Sequence, residues 1–145
     1  MTLIVLNFKT YRESTGSEGL VLARICQEMA REHSLEMVVV PQVADISTIA
    51  AAISIPVFSQ HVDGVGYGGF TGHITAASLK AVGAAGSLIN HSERRLGLAE
   101  IEASIAACRQ AGLKSIVCTN NVATTRAAAA MGPDYVAIEP PELIG

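Results

Sequence analysis

Tryptophan is absent and only three Tyr and three Phe occur in the 145 residues. Large rings therefore cannot fill a core, and close packing of helices on a sheet by the abundant Ala, Val, Ile and Gly is what remains. Charge is also sparse. Ten Lys and Arg stand against thirteen Asp and Glu, for a formal net charge of -3 and a pI near 5.8. No basic face for nucleic acid is expected, and an anionic small molecule would have to be held by local groups. No apolar run reaches the roughly 18 to 20 residues of a membrane span. The opening Met1-Thr2-Leu3-Ile4-Val5-Leu6 has no basic n-region and runs directly into an apolar strand pattern, so a signal peptide is not expected and a cytoplasmic protein is. Cys26, Cys108 and Cys118 are far apart, odd in number and without CxxC or Cys/His ligand spacing, and read as reduced core thiols. His33, His61, His73 and His91 show no i, i+4 pair, so a metal site is not expected.

Half of the residues are hydrophobic, enough for the core of one domain. Leu3 to Phe8 is apolar almost throughout, the pattern of a strand buried on both faces in a parallel sheet. A helix from the N-cap Ser17 to about Glu32 follows, with Leu22, Ile25, Cys26 and Met29 as its core-facing stripe. Further strands are predicted at Met37 to Val40, Val57 to Gln60, Gly86 to Asn90, Ser115 to Cys118 and Tyr135 to Ile138. Helices are predicted after the cap Asp45, over Thr75 to Val82, over Ala99 to Ala111 with Leu98, Ile101, Ile105 and Cys108 on one face and Gly112 beyond its end, and after the cap Asn121. Regular β-α alternation argues for a parallel sheet, either open and doubly wound or closed into a barrel. An open sheet would carry a glycine fingerprint in its first turn, and Asn7-Phe8-Lys9-Thr10-Tyr11 has none, so the (β/α)₈ barrel is favoured.

Three strands deliver ionisable groups at their carboxyl ends: Lys9 after the first, His91 after the fourth and Glu139 after the sixth. By itself Asn90-His91-Ser92-Glu93-Arg94-Arg95 also reads as a strand followed by a capped helix, with Ser92 as N-cap and Glu93 in its first turn. His61 to His73 is the longest loop. Five glycines give it tight turns, and Val65, Tyr67 and Phe70 are apolar groups that favour docking over a free surface, although a mobile loop fits the sequence as well. It lacks the GxGxxG and Walker patterns of nucleotide cradles.

At Asn7-Phe8-Lys9-Thr10-Tyr11, Tyr67-Gly68-Gly69-Phe70-Thr71-Gly72, Asn90-His91-Ser92-Glu93-Arg94-Arg95 and Ile138-Glu139-Pro140-Pro141 the sequence closely resembles the triosephosphate isomerase family, most of all its short archaeal form. The resemblance covers essentially the whole chain. It implies an α/β fold, the (β/α)₈ TIM barrel, of which residues 1–145 would be a single incomplete domain with strands one to six and the start of the lid loop. The implied activity is interconversion of dihydroxyacetone phosphate and glyceraldehyde 3-phosphate through an enediolate, in glycolysis and gluconeogenesis, without a cofactor. Residue by residue, the resemblance makes Glu139 the base, His91 the electrophile and Lys9 the fixed positive charge, with Asn7 and Phe8 beside them at the substrate. Ile144 and Gly145 match the start of the lid. Ser92 and Glu93 support the site, Glu93 as the carboxylate that pairs with the lysine when the site is empty. A helix starting at Ser92 would put positive potential beside the His91 ring, an effect for which this family is the standard case. Thr71, Tyr67 and Phe70 fall in the loop that reaches a neighbouring subunit, implying a homodimer or homotetramer through residues 64–73.

The chain departs from the family in length, since such barrels need at least about 200 residues. Strands seven and eight, with the family's phosphate-holding N–H groups, are expected to lie beyond Gly145, and residues 1–145 alone to be inactive. Two other readings remain: another phosphosugar barrel enzyme, such as an aldolase with Lys9 as Schiff base, and a non-catalytic partial barrel with exposed edges.

Overall fold

The computed structural model describes residues 2–140 and 142. Strands and helices alternate as β1 Leu3–Asn7, α1 Gly16–Glu32, β2 Glu36–Val40, α2 Ile46–Ala52, β3 Phe58–Ser59, α3 Ala76–Ala81, β4 Gly86–Ile89, α4 Leu98–Ala111, β5 Lys114–Thr119, α5 Val122–Ala130 and β6 Tyr135–Ile138. Every pairing is parallel. β1 pairs with β2, β3 to β6 pair in sequence order, and an isolated bridge between Val39 and Val57 joins the two sheets. The result is a partial barrel wall with β1 and β6 at its two ends, and all strand carboxyl ends lie on one rim.

Alternation along the strands separates two apolar layers. Val38, Val40, Phe58, Leu88 and Ile116 pack together, while Val39, Val57, Ile89 and Val117 belong to the larger cluster shared with the helices. Gly86 shows how tight the wall is. A Cβ there would come within 2.5 Å of both the Lys114 carbonyl oxygen and the Phe58 ring. At the amino-terminal rim Asp134 ties β6 to β5, accepting from Ser115 N at 2.9 Å and from Lys114 Nζ at 2.6 Å.

Several local expectations are corrected. The buried stripe of α1 is Gly19, Ala23, Cys26 and Ala30, with Ile25 and Met29 exposed. Small residues allow the helix to lie closer to the sheet than the larger apolar stripe would, and Gly19 is pressed against the Ser14 carbonyl. α1 begins at Gly16, not behind a Ser17 cap, and Asp45 makes no side-chain cap bond to α2. Its Oδ2 accepts from Gly16 N at 2.9 Å instead, pinning the start of α1. Leu98 is exposed at the head of α4, where Ser104 joins Ile101, Ile105 and Cys108 on the buried face. β1 is not buried on both faces: Val5 is 36% and Leu6 39% exposed, because β1 is an end of the wall with a neighbour on one side only. Asn121 does cap α5, accepting from Thr124 N at 2.9 Å, and the three cysteines are free and buried. Burial pushes the thiol of Cys118 up to about 12, with the Glu139 charge adding to it, and that of Cys108 up to about 11.

Candidate active site

Lys9 follows β1 in the left-handed region, φ 50, a conformation a lysine adopts only when its surroundings hold it there. Both of its backbone polar groups are clamped. Its N–H donates to Asn7 Oδ1 at 3.0 Å, and its carbonyl accepts from Gln60 Nε2 at 2.8 Å. Ser14 Oγ donates to the carbonyl of buried Phe8 at 2.6 Å, holding the same segment from behind. The lysine Nζ lies 6.0 Å from the centre of the Tyr11 ring.

Asn90 ends β4 with φ 62, which asparagine tolerates better than most residues. Its Nδ2 donates to Cys118 O at 2.8 Å and its Oδ1 accepts from Leu96 N at 2.8 Å, so the following loop is tied to β5. His91 to Arg94 form a turn closed by Arg94 N donating to His91 O, and α4 starts only at Leu98. The helix expected at Ser92 is thus a single turn, because Asn90 and Arg95 pull the loop back onto the strand ends. The turn nevertheless serves the imidazole: Glu93 N donates to His91 Nδ1 at 3.2 Å. An Nδ1 that accepts a backbone N–H leaves the ring proton on Nε2 in the neutral tautomer assigned from these bonds.

Glu139 follows β6, its backbone N–H held by Thr119 O at 2.6 Å. Its Oε1 lies 3.0 Å from His91 Nε2, and its Oε2 accepts from Ser92 N at 3.1 Å. The side chains of His91 and Glu139 are 15% and 18% exposed, sheltered from bulk water but reachable from the cavity. That cavity, about 350 Å³, is lined by Asn7, Lys9, His91, Ser92, Cys118 and Glu139. Because Lys9 N fixes the orientation of the Asn7 amide, its Nδ2 stands 3.4 Å from His91 Nε2, and both side chains line this cavity. A carboxylate, two neutral donors and an ammonium on one rim can move a proton at carbon while stabilising charge that develops on oxygen.

The comparisons with known proteins come down on one side. The family model described as triosephosphate isomerase matches residues 2–145. The chain belongs to the triosephosphate isomerase family. It is 56% identical over 145 residues to a triosephosphate isomerase of Methanosarcina barkeri, and 50% identical over 143 residues to one of Methanocaldococcus jannaschii. These alignments take in 100% and 99% of this chain but 65% of each relative, so the chain spans about two thirds of their length. The crystal structure of a triosephosphate isomerase from Bartonella henselae superposes with a TM-score of 0.80 at 24% identity, covering 95% of this chain and 67% of that one, a likeness that carries the fold.

Of the residues picked out by their resemblance to the triosephosphate isomerase family, Asn7, Lys9, His91, Ser92 and Glu139 are brought together. Phe8 is buried behind the lysine, and Ile144 and Gly145 lie outside the described residues. The pair expected between Glu93 and Lys9 is not formed among the described residues: Glu93 is exposed and meets the site through its backbone N–H. Tyr67, 91% exposed, Phe70 and Thr71 project from the molecule, with no docking surface for them in the single chain described. Sequence reasoning passed over Gln60, Asn90 and Arg95. It also passed over the base of the projecting loop, where Asp63 accepts from buried His61 Nε2 at 3.0 Å and from Ile74 N at 2.6 Å, with His73 Nδ1 at 3.5 Å and Arg94 Nη2 at 3.9 Å. The signal available was the His61-Val62-Asp63 spacing, in which alternate residues share a side.

Burial alone would raise the Asp63 carboxyl, yet the Ile74 N–H and the His61 imidazole hold it below the ordinary carboxylate range. A carboxyl that ionises more readily folded than unfolded stabilises the fold fully above its unfolded pKa, roughly 3.9, and loses that contribution as pH falls through the lower folded value. The chain is therefore expected to lose thermal stability more steeply below about pH 4 than Asp63→Asn does. Thermal melts of the two proteins across the acid range check this, and parallel curves would exclude Asp63 as the acid-sensitive anchor.

Proposed function

We propose that the chain carries the proton-transfer half of a triosephosphate isomerase site, acting on dihydroxyacetone phosphate and D-glyceraldehyde 3-phosphate. The observation that supports this best is the convergence of His91 Nε2 and Glu139 Oε1 at 3.0 Å in a cavity shared with Asn7 and Lys9. Glu139 takes the proton from the carbon beside the carbonyl, the C–H electron pair forms the carbon–carbon double bond, and the carbonyl pair moves to oxygen. His91 Nε2–H and Asn7 Nδ2–H stabilise that oxygen, and the Lys9 ammonium balances the charge of enediolate and phosphate. His91 Nε2 gives its proton to that oxygen and takes the hydroxyl proton from the other, whose pair forms the new carbonyl, while the protonated Glu139 returns its proton to the neighbouring carbon. The rearrangement balances within the substrate and needs neither metal nor redox cofactor.

Ile144 and Gly145 would begin the lid that excludes water from this exchange. The same reading makes the protein a cytoplasmic enzyme of glycolysis and gluconeogenesis, assembled as a homodimer or homotetramer through residues 64–73. The exposed Tyr67 and Phe70 supply the apolar contact for that assembly. A chimera in which the unmatched part of the Methanosarcina barkeri relative is joined after Gly145 tests the activity. Isomerisation measured through a coupled dehydrogenase is expected from the chimera, and little or none from the 145 residues alone. A folded chimera without turnover would refute the reading.

A further inference from the structure

The loop between β4 and α4 carries His91, and one side chain closes it. Asn90 is partly buried at the end of β4, with both polar atoms of its amide committed. Nδ2 donates to Cys118 O on β5 at 2.8 Å, and Oδ1 accepts from Leu96 N, six residues further along the chain, also at 2.8 Å. The loop is thereby brought back to the strand it left, and φ 62 at Asn90 supplies the reversal that leads into the 91–94 turn. Arg95 spans the same gap, Nη1 donating to Asn90 O at 2.7 Å and to Cys118 O at 3.4 Å, but on a longer and partly exposed side chain. Inside the closed loop the His91 ring is met on both edges. Nδ1 lies 3.2 Å from Glu93 N and 3.4 Å from Ser92 Oγ, while Nε2 lies 3.0 Å from Glu139 Oε1 and 3.4 Å from Asn7 Nδ2. The Glu139 and Asn7 contacts come from other strands, whereas the Glu93 contact depends on the shape of the loop itself.

We propose that Asn90 is a positioning residue for His91: by tying Leu96 and Cys118 to the end of β4 it preserves the 91–94 turn, which keeps the Glu93 N–H on Nδ1 and Nε2 toward the cavity. The role rests on the isomerase reading of His91 but is tested apart from it. A short amide with two bonds of good length and a restricted backbone has little freedom to give. Leu96 lies outside α4, so its N–H gains no helical acceptor when the Asn90 side chain is removed. Ser92-Glu93 is by itself a good start for a helix. With the Asn90 tie gone, that local preference competes with the longer Arg95 tether, and the direction of the Glu93 N–H is no longer fixed.

The test observes the bond from Glu93 N–H to His91 Nδ1 directly, as the nitrogen–nitrogen scalar coupling across it in nitrogen-15 NMR of the 145-residue chain. His91 is assigned by the signals lost in His91→Gln. Glycine adopts φ 62 without strain, so Asn90→Gly removes the two side-chain bonds while the backbone stays allowed. The coupling is expected in the unsubstituted chain and lost in Asn90→Gly. Asn90→Asp, which keeps the acceptor for Leu96 N, should retain part of it. Amide hydrogen exchange of the unsubstituted chain decides the matter even if Asn90→Gly fails to fold: Leu96 N–H should exchange at least about 10-fold more slowly than an unstructured amide. An unprotected Leu96 amide, or a coupling unchanged in Asn90→Gly, would overturn the proposal. In the chimera, Asn90→Gly is expected to lower kcat by about 10-fold with KM changed less. The same substitution should cost little more when His91 is already Gln, because residues that act through one another are not additive. An equal loss in both backgrounds would overturn the proposal and leave Asn90 as a support of the fold. An inactive chimera with the coupling lost in Asn90→Gly would count against the isomerase reading and not against this one.

Discussion

Glu139→Asp in the chimera lowers kcat by on the order of 10²-fold or more, with circular dichroism and melting temperature unchanged. One methylene fewer draws the carboxylate back by more than 1 Å, and a misplacement of about that size costs roughly 10²-fold in a positioned reaction. Neither Ser92 N nor His91 Nε2 can follow it, because both belong to a turn tied down by Asn90 and Arg95. His91→Gln keeps a donor but loses the ring whose Nδ1 is read by Glu93 N, and a loss of similar order is expected. Steady-state kinetics of both variants are the measurement. Turnover equal to that of the unsubstituted chimera in both would remove Glu139 and His91 from the reaction.

The largest expected effect on stability is Ile89→Ala, at about 2 to 5 kcal/mol. Ile89 is completely buried in the cluster that β4 shares with the helices and is in register with the fully buried Val117 of β5. The vacated space cannot be closed by a loop. Leu98→Ala provides the control, since Leu98 is exposed and its truncation should fall within about 0.5 kcal/mol. Urea unfolding of the two variants separates the cases, and a cost below about 1 kcal/mol for Ile89→Ala would mean that β4 does not pack on the helices as described. Ile89 also stands one residue before Asn90, so the same substitution loosens the segment that presents His91.

How much could be read in advance differs between elements for identifiable reasons. Tyr135 to Ile138 was legible to the residue, because Gly132-Pro133 stops the preceding helix and Glu139-Pro140 ends the strand. Ser115 to Cys118 lost one residue at each end, since Lys114 and Thr119 are polar yet Lys114 pairs with Gly86 of β4 and Thr119 with Ile138 of β6. The α1 stripe was misread because large apolar residues were given the buried face. A helix lying close on a sheet buries small ones, and Val21, Ile25 and Met29 are left outside. The turn at Ser92 was misread because Ser-Glu is a good local start for a helix, while the bonds that prevent one run from Leu96 to Asn90 and from Arg95 to β5.

The order of strands and helices, their parallel arrangement and the choice of Lys9, His91 and Glu139 were determined by the sequence alone, because apolar period and the residues that end each strand are local features. The tertiary structure alone decided that Asn7 Nδ2 and His91 Nε2 come within 3.4 Å of each other, and that Gln60 holds Lys9 in a left-handed conformation. It also decided that Arg95 reaches Glu139 across two strand ends. Those contacts join residues 44 to 84 positions apart, and their distances follow from the curvature of the wall, which no local pattern in the chain records.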